Sequence, residues 1–177
     1  MEIANNTILE ELVIDKQEQD EWCWSAVATG IDYFYDQNSP WTQCRVAAAQ
    51  KGAGKCCNSP KSSTCDRPWF LERALCTVHR LGNGPVPGQL SFEQLTALIQ
   101  AEDPHPVCAQ FSWEGEGSHF VAIKGLDVSN RMLVIADPMD GAEHTVAYDE
   151  LIRKGYGGFG PWTAYFITDK VNHGGCI

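Results

Sequence analysis

Basic charge is scarce in this chain of 177 residues: 13 Lys and Arg stand against 23 Asp and Glu, a formal net charge of −10. Proteins that track phosphates concentrate basic side chains on one face, so the balance argues against nucleic acid as a partner, and an anionic membrane surface would repel the chain too. Long apolar runs are also missing. No stretch approaches the roughly 18–20 uninterrupted apolar residues of a membrane span, and Met1 to Asn6 lacks the basic start and apolar run of a secretory signal. No internal repeat, charge block or low-complexity tract occurs. With 44% hydrophobic and 10% aromatic residues the composition is ordinary for a folded protein, and a single domain spanning residues 1–177 is expected. A chain of this length hides roughly 70% of its unfolded surface, enough for a core that does not depend on metal or disulfides.

The pattern changes character once. Before about residue 100 the apolar residues recur at helical spacing: Trp24, Val27, Ala28, Ile31, Phe34 and Tyr35 form one stripe, and Leu71, Leu75 and Val78 another. Ser91, with Gln94 three residues on, reads as the cap of a further helix carrying Leu95, Leu98 and Ile99. From about 105 to 170 the text reads as short strands: 107–111, 119–124, 132–136, 145–148 and 162–168. Helices followed by strands predict an α+β protein with an antiparallel sheet, since parallel crossovers would demand alternation. The join at Leu81 to Gln89 holds Gly82, Gly84, Pro85, Pro87 and Gly88 and is expected to be neither helix nor strand. The irregular stretch from Lys51 to Arg67 is long for a compact domain unless something staples it.

Cys23 opens the strongest helical stripe, in the first turn, where unpaired backbone N–H groups and the helix dipole favour a thiolate. Alone it would read as a small buried hydrophobe. Gln17 lies six residues upstream, where its amide is placed to stabilise an oxyanion together with the Cys23 N–H; Gln19 competes for that role. His119 starts an apolar strand, where an imidazole is costly to bury without a partner. Asp137 ends the next strand and suits the group that orients a catalytic imidazole. A hairpin loop of odd length centred on Val128 would set His119 opposite Asp137; an even loop centred one half-residue later would send Asp137 to the other face. We expect the odd loop, or a bulge near the strand ends.

Cys23-Trp24 opening a helix, Gln17 before it, then Gly117-Ser118-His119-Phe120-Val121-Ala122-Ile123 and Ala136-Asp137-Pro138 together resemble the papain-like cysteine peptidases. Within these the sequence is similar to the compact bacterial branch: staphopain-like enzymes, effector proteases and the leader peptidase domains of bacteriocin exporters. The resemblance runs from about Gln17 to Thr168. It implies a helical lobe over about residues 1–100, a β lobe over about 105–170 as an antiparallel sheet or barrel, and an active site between them. It also implies Cys23 as nucleophile, His119 as general base and acid, Asp137 as orienting group, Gln17 as oxyanion donor, and no cofactor or metal. Two features depart from papain. Only 22 residues precede Cys23, so no papain-type propeptide is expected in this sequence, and Asp137 stands where papain has asparagine, as in the bacteriocin-exporter type.

The implied activity is endopeptidase, with a peptide or protein substrate and a monomeric enzyme. A transamidase or deamidase using the same triad is the alternative, and a non-catalytic binding module a third reading. Eight cysteines less Cys23 leave an odd number, so one more is free or bridges chains, and Cys108 in an apolar strand is the candidate. Cys44, Cys56, Cys57 and Cys65 are placed for two disulfides, with two cross-pairings open once the adjacent Cys56 and Cys57 are not joined; Cys76 is ambiguous. Zinc is the rival for this cluster, with Cys76 and His79 as half a site. Gly82 to Gly84 is a candidate substrate shelf that reads more simply as a turn, and Gly174-Gly175 reads as an unstructured tail. Disulfides suit an oxidising setting, so secretion or delivery outside the producing cell is expected, a cytoplasmic location being the alternative.

Overall fold

The structure, a computed structural model, describes residues 5–52 and 54–176. In chain order it contains β1 (Asn6–Ile8), α1 (Cys23–Tyr35), α2 (Gln43–Lys51), α3 (Leu71–Thr77), β2 (Leu81–Pro87), α4 (Phe92–Ile99), β3 (Val107–Ser112), β4 (Ser118–Asp127), β5 (Met132–Asp137), β6 (Ala142–Ala147), α5 (Tyr148–Lys154) and β7 (Trp162–Thr168). The strands form one antiparallel sheet in the order β2-β7-β3-β4-β5-β6. The strand β1 pairs with β4 at Gly125 to Asp127, the end that β3 leaves free. The protein is therefore α+β, as the change of pattern predicts, but the helix-first, strand-second division is incomplete. β1 and β2 come from the first hundred residues, and α5 from the second part.

The helix α1 lies at the centre. Every residue from Cys23 to Asp32 is buried, which is how a helix packed on several sides rather than one reads in burial. It contacts β4, α2 and α3. Gly30 is required at its crossing with the N-terminal segment, because a Cβ there would come within 2.6 Å of the Val13 carbonyl oxygen. Asp32 is buried on this helix with its charge matched: Arg80 Nε donates to it at 2.8 Å, and the Ser39 hydroxyl donates to its other oxygen. The capping box at α4 is present, with Ser91 and Gln94 bonding reciprocally.

The join at Leu81 to Gln89 corrects the expectation of irregular chain: Leu81–Pro87 forms β2, paired with β7 through two register shifts and containing a cis Gly84-Pro85 bond. β2 is an edge strand, and Pro85 falls within one of its register shifts, both places where proline's missing N–H is tolerated. Gly82 and Gly84 serve the close approach to β7, since a Cβ on either would fall 2.9 Å from β7 backbone atoms.

Disulfides join Cys44 to Cys57, Cys56 to Cys65 and Cys76 to Cys176. The first two choose between the open cross-pairings and staple the irregular stretch. The third takes Cys76 away from a zinc site and corrects the reading of the Gly174-Gly175 tail, which is tied down by Cys176 and by a bond from the His173 N–H to the Leu81 carbonyl. Cys108 is buried and free, as expected, and burial pushes its thiol pKa up, which leaves it inert.

Candidate active site

Cys23 is the first residue of α1, and the residues around it explain how that terminus is held. No side chain caps the helix. Instead the stapled loop grips both neighbours of the cysteine: Trp22 Nε1 donates to the Cys65 carbonyl at 2.8 Å, and Trp24 Nε1 to the Arg67 carbonyl at 3.0 Å. The Glu21 N–H adds a bond to Asp66 at 2.9 Å. The disulfide Cys56–Cys65 thus fixes a loop whose carbonyls fix the start of α1.

The Cys23 sulfur lies 4.0 Å from the carbonyl oxygen of Ser118, the residue before His119. Burial pushes its thiol pKa up to about 11, against the lowering effect of the Phe120 and Trp24 N–H groups. Without a cationic partner the sulfur therefore stays protonated at neutral pH.

His119 and Asp137 are both buried, and His119 Nε2 meets Asp137 Oδ1 at 2.8 Å. Burial alone would raise the Asp137 pKa. The bonds from His119, from the Met139 N–H at 2.8 Å and from the Tyr156 hydroxyl at 2.7 Å outweigh it and hold the carboxyl below its ordinary range. The strand register behind this pair differs from the expected one. The β4–β5 turn covers four residues beyond the Asp127–Met132 pair, and a register shift falls between Ile123 and Gly125, well inside the strand. Past that bulge Ala122 faces Ala136, so continuing the ladder sets Asp137 against Val121 rather than His119. His119 is the next residue on that same face, and a diagonal pair of this kind is within reach of long side chains.

Gln17 is brought to the same place by its backbone: its N–H donates to the Pro138 carbonyl at 2.7 Å, next to Asp137. Gln43 holds the flanking residues, with Nε2 on the Lys16 carbonyl at 3.0 Å and Oε1 accepting from the Glu18 N–H at 2.9 Å. The Gln17 side-chain Nε2 donates to the carbonyls of Gln19 and Asp20. Its Oε1 is buried with no hydrogen-bond partner among the described residues. Gln19 contributes to the site only through that carbonyl.

Two residues that sequence reasoning missed complete the surroundings. Phe159 stacks on the His119 ring with centroids 3.9 Å apart, and Tyr156 bonds Asp137. Both belong to Gly155-Tyr156-Gly157-Gly158-Phe159-Gly160. Two aromatics set among four glycines are a signal in themselves, since so flexible a segment is entropically costly to order.

A cleft of about 600 Å³ opens beside Cys23, walled by Trp24, Trp69, Phe70, Pro85 and Phe120, with Glu21, Glu72, Glu116 and Arg67 also lining it. Pro85, not Gly82 to Gly84, is the part of β2 that reaches it. A cavity of about 680 Å³ lies elsewhere, at the Cys76–Cys176 disulfide. For a metal, the ligand atoms of Asp137, Asp140 and His144 lie within 4.8 Å of one another. Their partners are protein groups: Asp137 serves His119, Met139 and Tyr156, while Asp140 and His144 bond each other at 2.7 Å.

A thiol at the start of a buried helix thus touches the carbonyl of the residue before His119, which bonds a buried carboxylate, and an open cleft lies beside the thiol. The family described as papain-like cysteine protease AvrRpt2 matches residues 5–154, and the chain belongs to it. Among solved structures it is similar to xylellain, a cysteine protease from Xylella fastidiosa, with 12% identity, a TM-score of 0.51, and 97% of this chain and 88% of that one covered. At that identity the likeness shows the papain-like fold alone. No curated protein matches the sequence.

Proposed function

We propose that the protein is an endopeptidase working through Cys23, His119 and Asp137, with the helix-bearing part and the sheet forming the two sides of the cleft. The observation that carries this reading is the buried His119–Asp137 bond of 2.8 Å beside a sulfur that rests on the Ser118 carbonyl. With Nε2 committed to Asp137, Nδ1 is the nitrogen left to take the thiol proton. The imidazolium so formed supplies the cation that a thiol raised to about 11 needs in order to ionise.

The Cys23 thiolate adds to a substrate carbonyl carbon, and the C=O π electrons move onto oxygen. The Cys23 N–H, and Gln17 Nε2 once it exchanges a backbone carbonyl for the substrate oxygen, stabilise that charge. Collapse expels the amine, which takes its proton from His119 and leaves a thioester on Cys23. Water, deprotonated by His119, adds to the thioester; the acid leaves and the thiol is restored. Phe159 covers the imidazole and keeps bulk water from its face. The aromatic cleft receives the substrate chain.

Delivery outside the bacterial cell fits this reading. Three disulfides need an oxidising setting to form. Among the described residues no helix is long and apolar enough to cross a membrane.

The test is mass spectrometry of a proteome-derived peptide library after incubation with the protein and with Cys23→Ala, each with and without an amine acceptor. New peptide termini made by the parent chain and absent with the variant establish the endopeptidase. Deamidated or amine-bearing peptides of unchanged length would replace it by a transferase or deamidase.

A further inference from the structure

We propose that Tyr156 is a positioning residue for this chemistry: its hydroxyl locks the Asp137 carboxylate so that Oδ1 stays on His119. The inference rests on the Cys23–His119–Asp137 reading and deepens it. Asp137 Oδ1 accepts from His119 Nε2 and from the Met139 N–H, each at 2.8 Å, while Oδ2 accepts from the Tyr156 hydroxyl at 2.7 Å. A carboxylate anchored through one oxygen pivots about its Cβ–Cγ bond. A donor on the second oxygen removes that freedom and, through it, fixes the plane of the imidazole.

The loop is built around this bond. The rings of Tyr156 and His119 are parallel to within 3°, with Phe159 stacked against both. The chain closes at Gly155 and Gly160, whose φ values are +78° and +104°. A Cβ on Gly155 would fall 2.1 Å from the Gly160 oxygen, and one on Gly160 2.8 Å from the Ser112 carbonyl carbon. The Tyr156 N–H bonds the Gly160 carbonyl at 3.0 Å, and Trp113 Nε1 bonds the Gly158 carbonyl at 3.1 Å. One rigid turn thus delivers a hydroxyl to the carboxylate and a ring to the imidazole.

Titratable groups on the neighbouring elements, some bonded to Asp137 and others only to each other, make up its surroundings. His119 lies on β4, as does Lys124, which pairs with Glu143 of β6 at 2.6 Å. Asp140 and His144 lie beyond and bond each other. Cys23 is near enough for Asp137 to disfavour its thiolate. The Tyr156 hydroxyl donates to the carboxylate without carrying a charge, so removing it changes no charge and raises the pH at which Asp137 takes up a proton.

The experiment compares the parent chain with Tyr156→Phe, Phe159→Leu, His119→Ala and Asp137→Asn, measuring kcat and KM against pH on a peptide taken from the library, with Tm recorded for each. For Tyr156→Phe we expect kcat to fall about tenfold, as for one lost bond to a charged group, with KM unchanged. Its acid limb should move up by about one pH unit. Phe159→Leu, which keeps the hydroxyl, should lower kcat with the acid limb in place. If His119→Ala and Asp137→Asn retain full activity, the triad reading fails and the proposal with it. If those two are inactive while Tyr156→Phe keeps the parent kcat and limb, the triad stands and this proposal alone is overturned. A lower Tm with an unmoved limb would make Tyr156 purely structural and overturn it as well. Should Tyr156→Phe not fold, the Tyr156 hydroxyl proton in the parent chain reads the same bond by NMR. It should shift over the pH range where activity is lost on the acid side, and a resonance that stays constant there overturns the proposal.

Discussion

His119 and Asp137 meet at 2.8 Å although the β4–β5 ladder does not pair them. The bulge between Ile123 and Gly125 shifts the register so that they become diagonal neighbours on one face. A buried histidine–carboxylate hydrogen bond of this kind has consequences for both activity and acid stability.

Asp137→Asn keeps an acceptor for His119 and removes the charge. We expect kcat to drop by roughly 10²–10⁴-fold with the fold intact. The pH dependence of stability has a definite sign. Burial pulls the Asp137 pKa up, the three donors pull it further down, and the folded value lies below the unfolded one. The carboxylate therefore stabilises the fold above its unfolded pKa of about 3.9, and this is lost as pH falls through the depressed folded value. Tm measured from pH 6 down to 2 should fall more steeply for the parent chain than for Asp137→Asn.

Cys23 reports on its partner. With burial holding the isolated thiol near 11, alkylation of His119→Ala by iodoacetamide should accelerate only as pH approaches that value. The parent chain should react at neutral pH through the ion pair. Equal pH–rate curves for the two proteins would show that His119 does not ionise the thiol.

The three disulfides should differ in what they contribute. Cys76–Cys176 closes a separation of 100 residues, against 13 for Cys44–Cys57 and 9 for Cys56–Cys65. In the chain-entropy account a loop of about 100 residues is worth about 4.7 kcal/mol and one of about 15 residues about 3 kcal/mol. Replacing Cys76 and Cys176 together by serine should cost the most on chemical denaturation. Replacing Cys56 and Cys65 should cost less stability and more activity, because Cys65 and Arg67 just after it hold Trp22 and Trp24 on either side of Cys23.

Gly155→Ala tests the turn from the other side. With φ at +78° and the Gly160 oxygen 2.1 Å from the added Cβ, the substitution forces the turn open. We expect a loss of about 1–3 kcal/mol by denaturation. The loss of kcat should exceed that of Asp149→Ala, a control on the exposed face of α5.

Much of this was readable along the chain because it depends on local spacing. The apolar stripe from Trp24 to Tyr35 specifies a buried helix, which puts Cys23 at its first turn whatever the rest does. Ser91 and Gln94 specify a capping box within four residues. The period-two runs around His119 and Asp137 specify strands, and the motif order carries the family. Contacts between distant segments were decided only in the folded molecule. Asp137 faces His119 because a bulge and a four-residue turn set the register together, and neither leaves a trace in a two-residue period. Pro85 sits in a strand because that strand is an edge, a fact about its neighbours rather than itself. Cys76 finds Cys176, and Tyr156 finds Asp137, across loops whose closure the whole fold determines. Local sequence sets which way each side chain points along its own element. Which partner it meets is settled by packing, where many weak contacts choose one arrangement of the elements together.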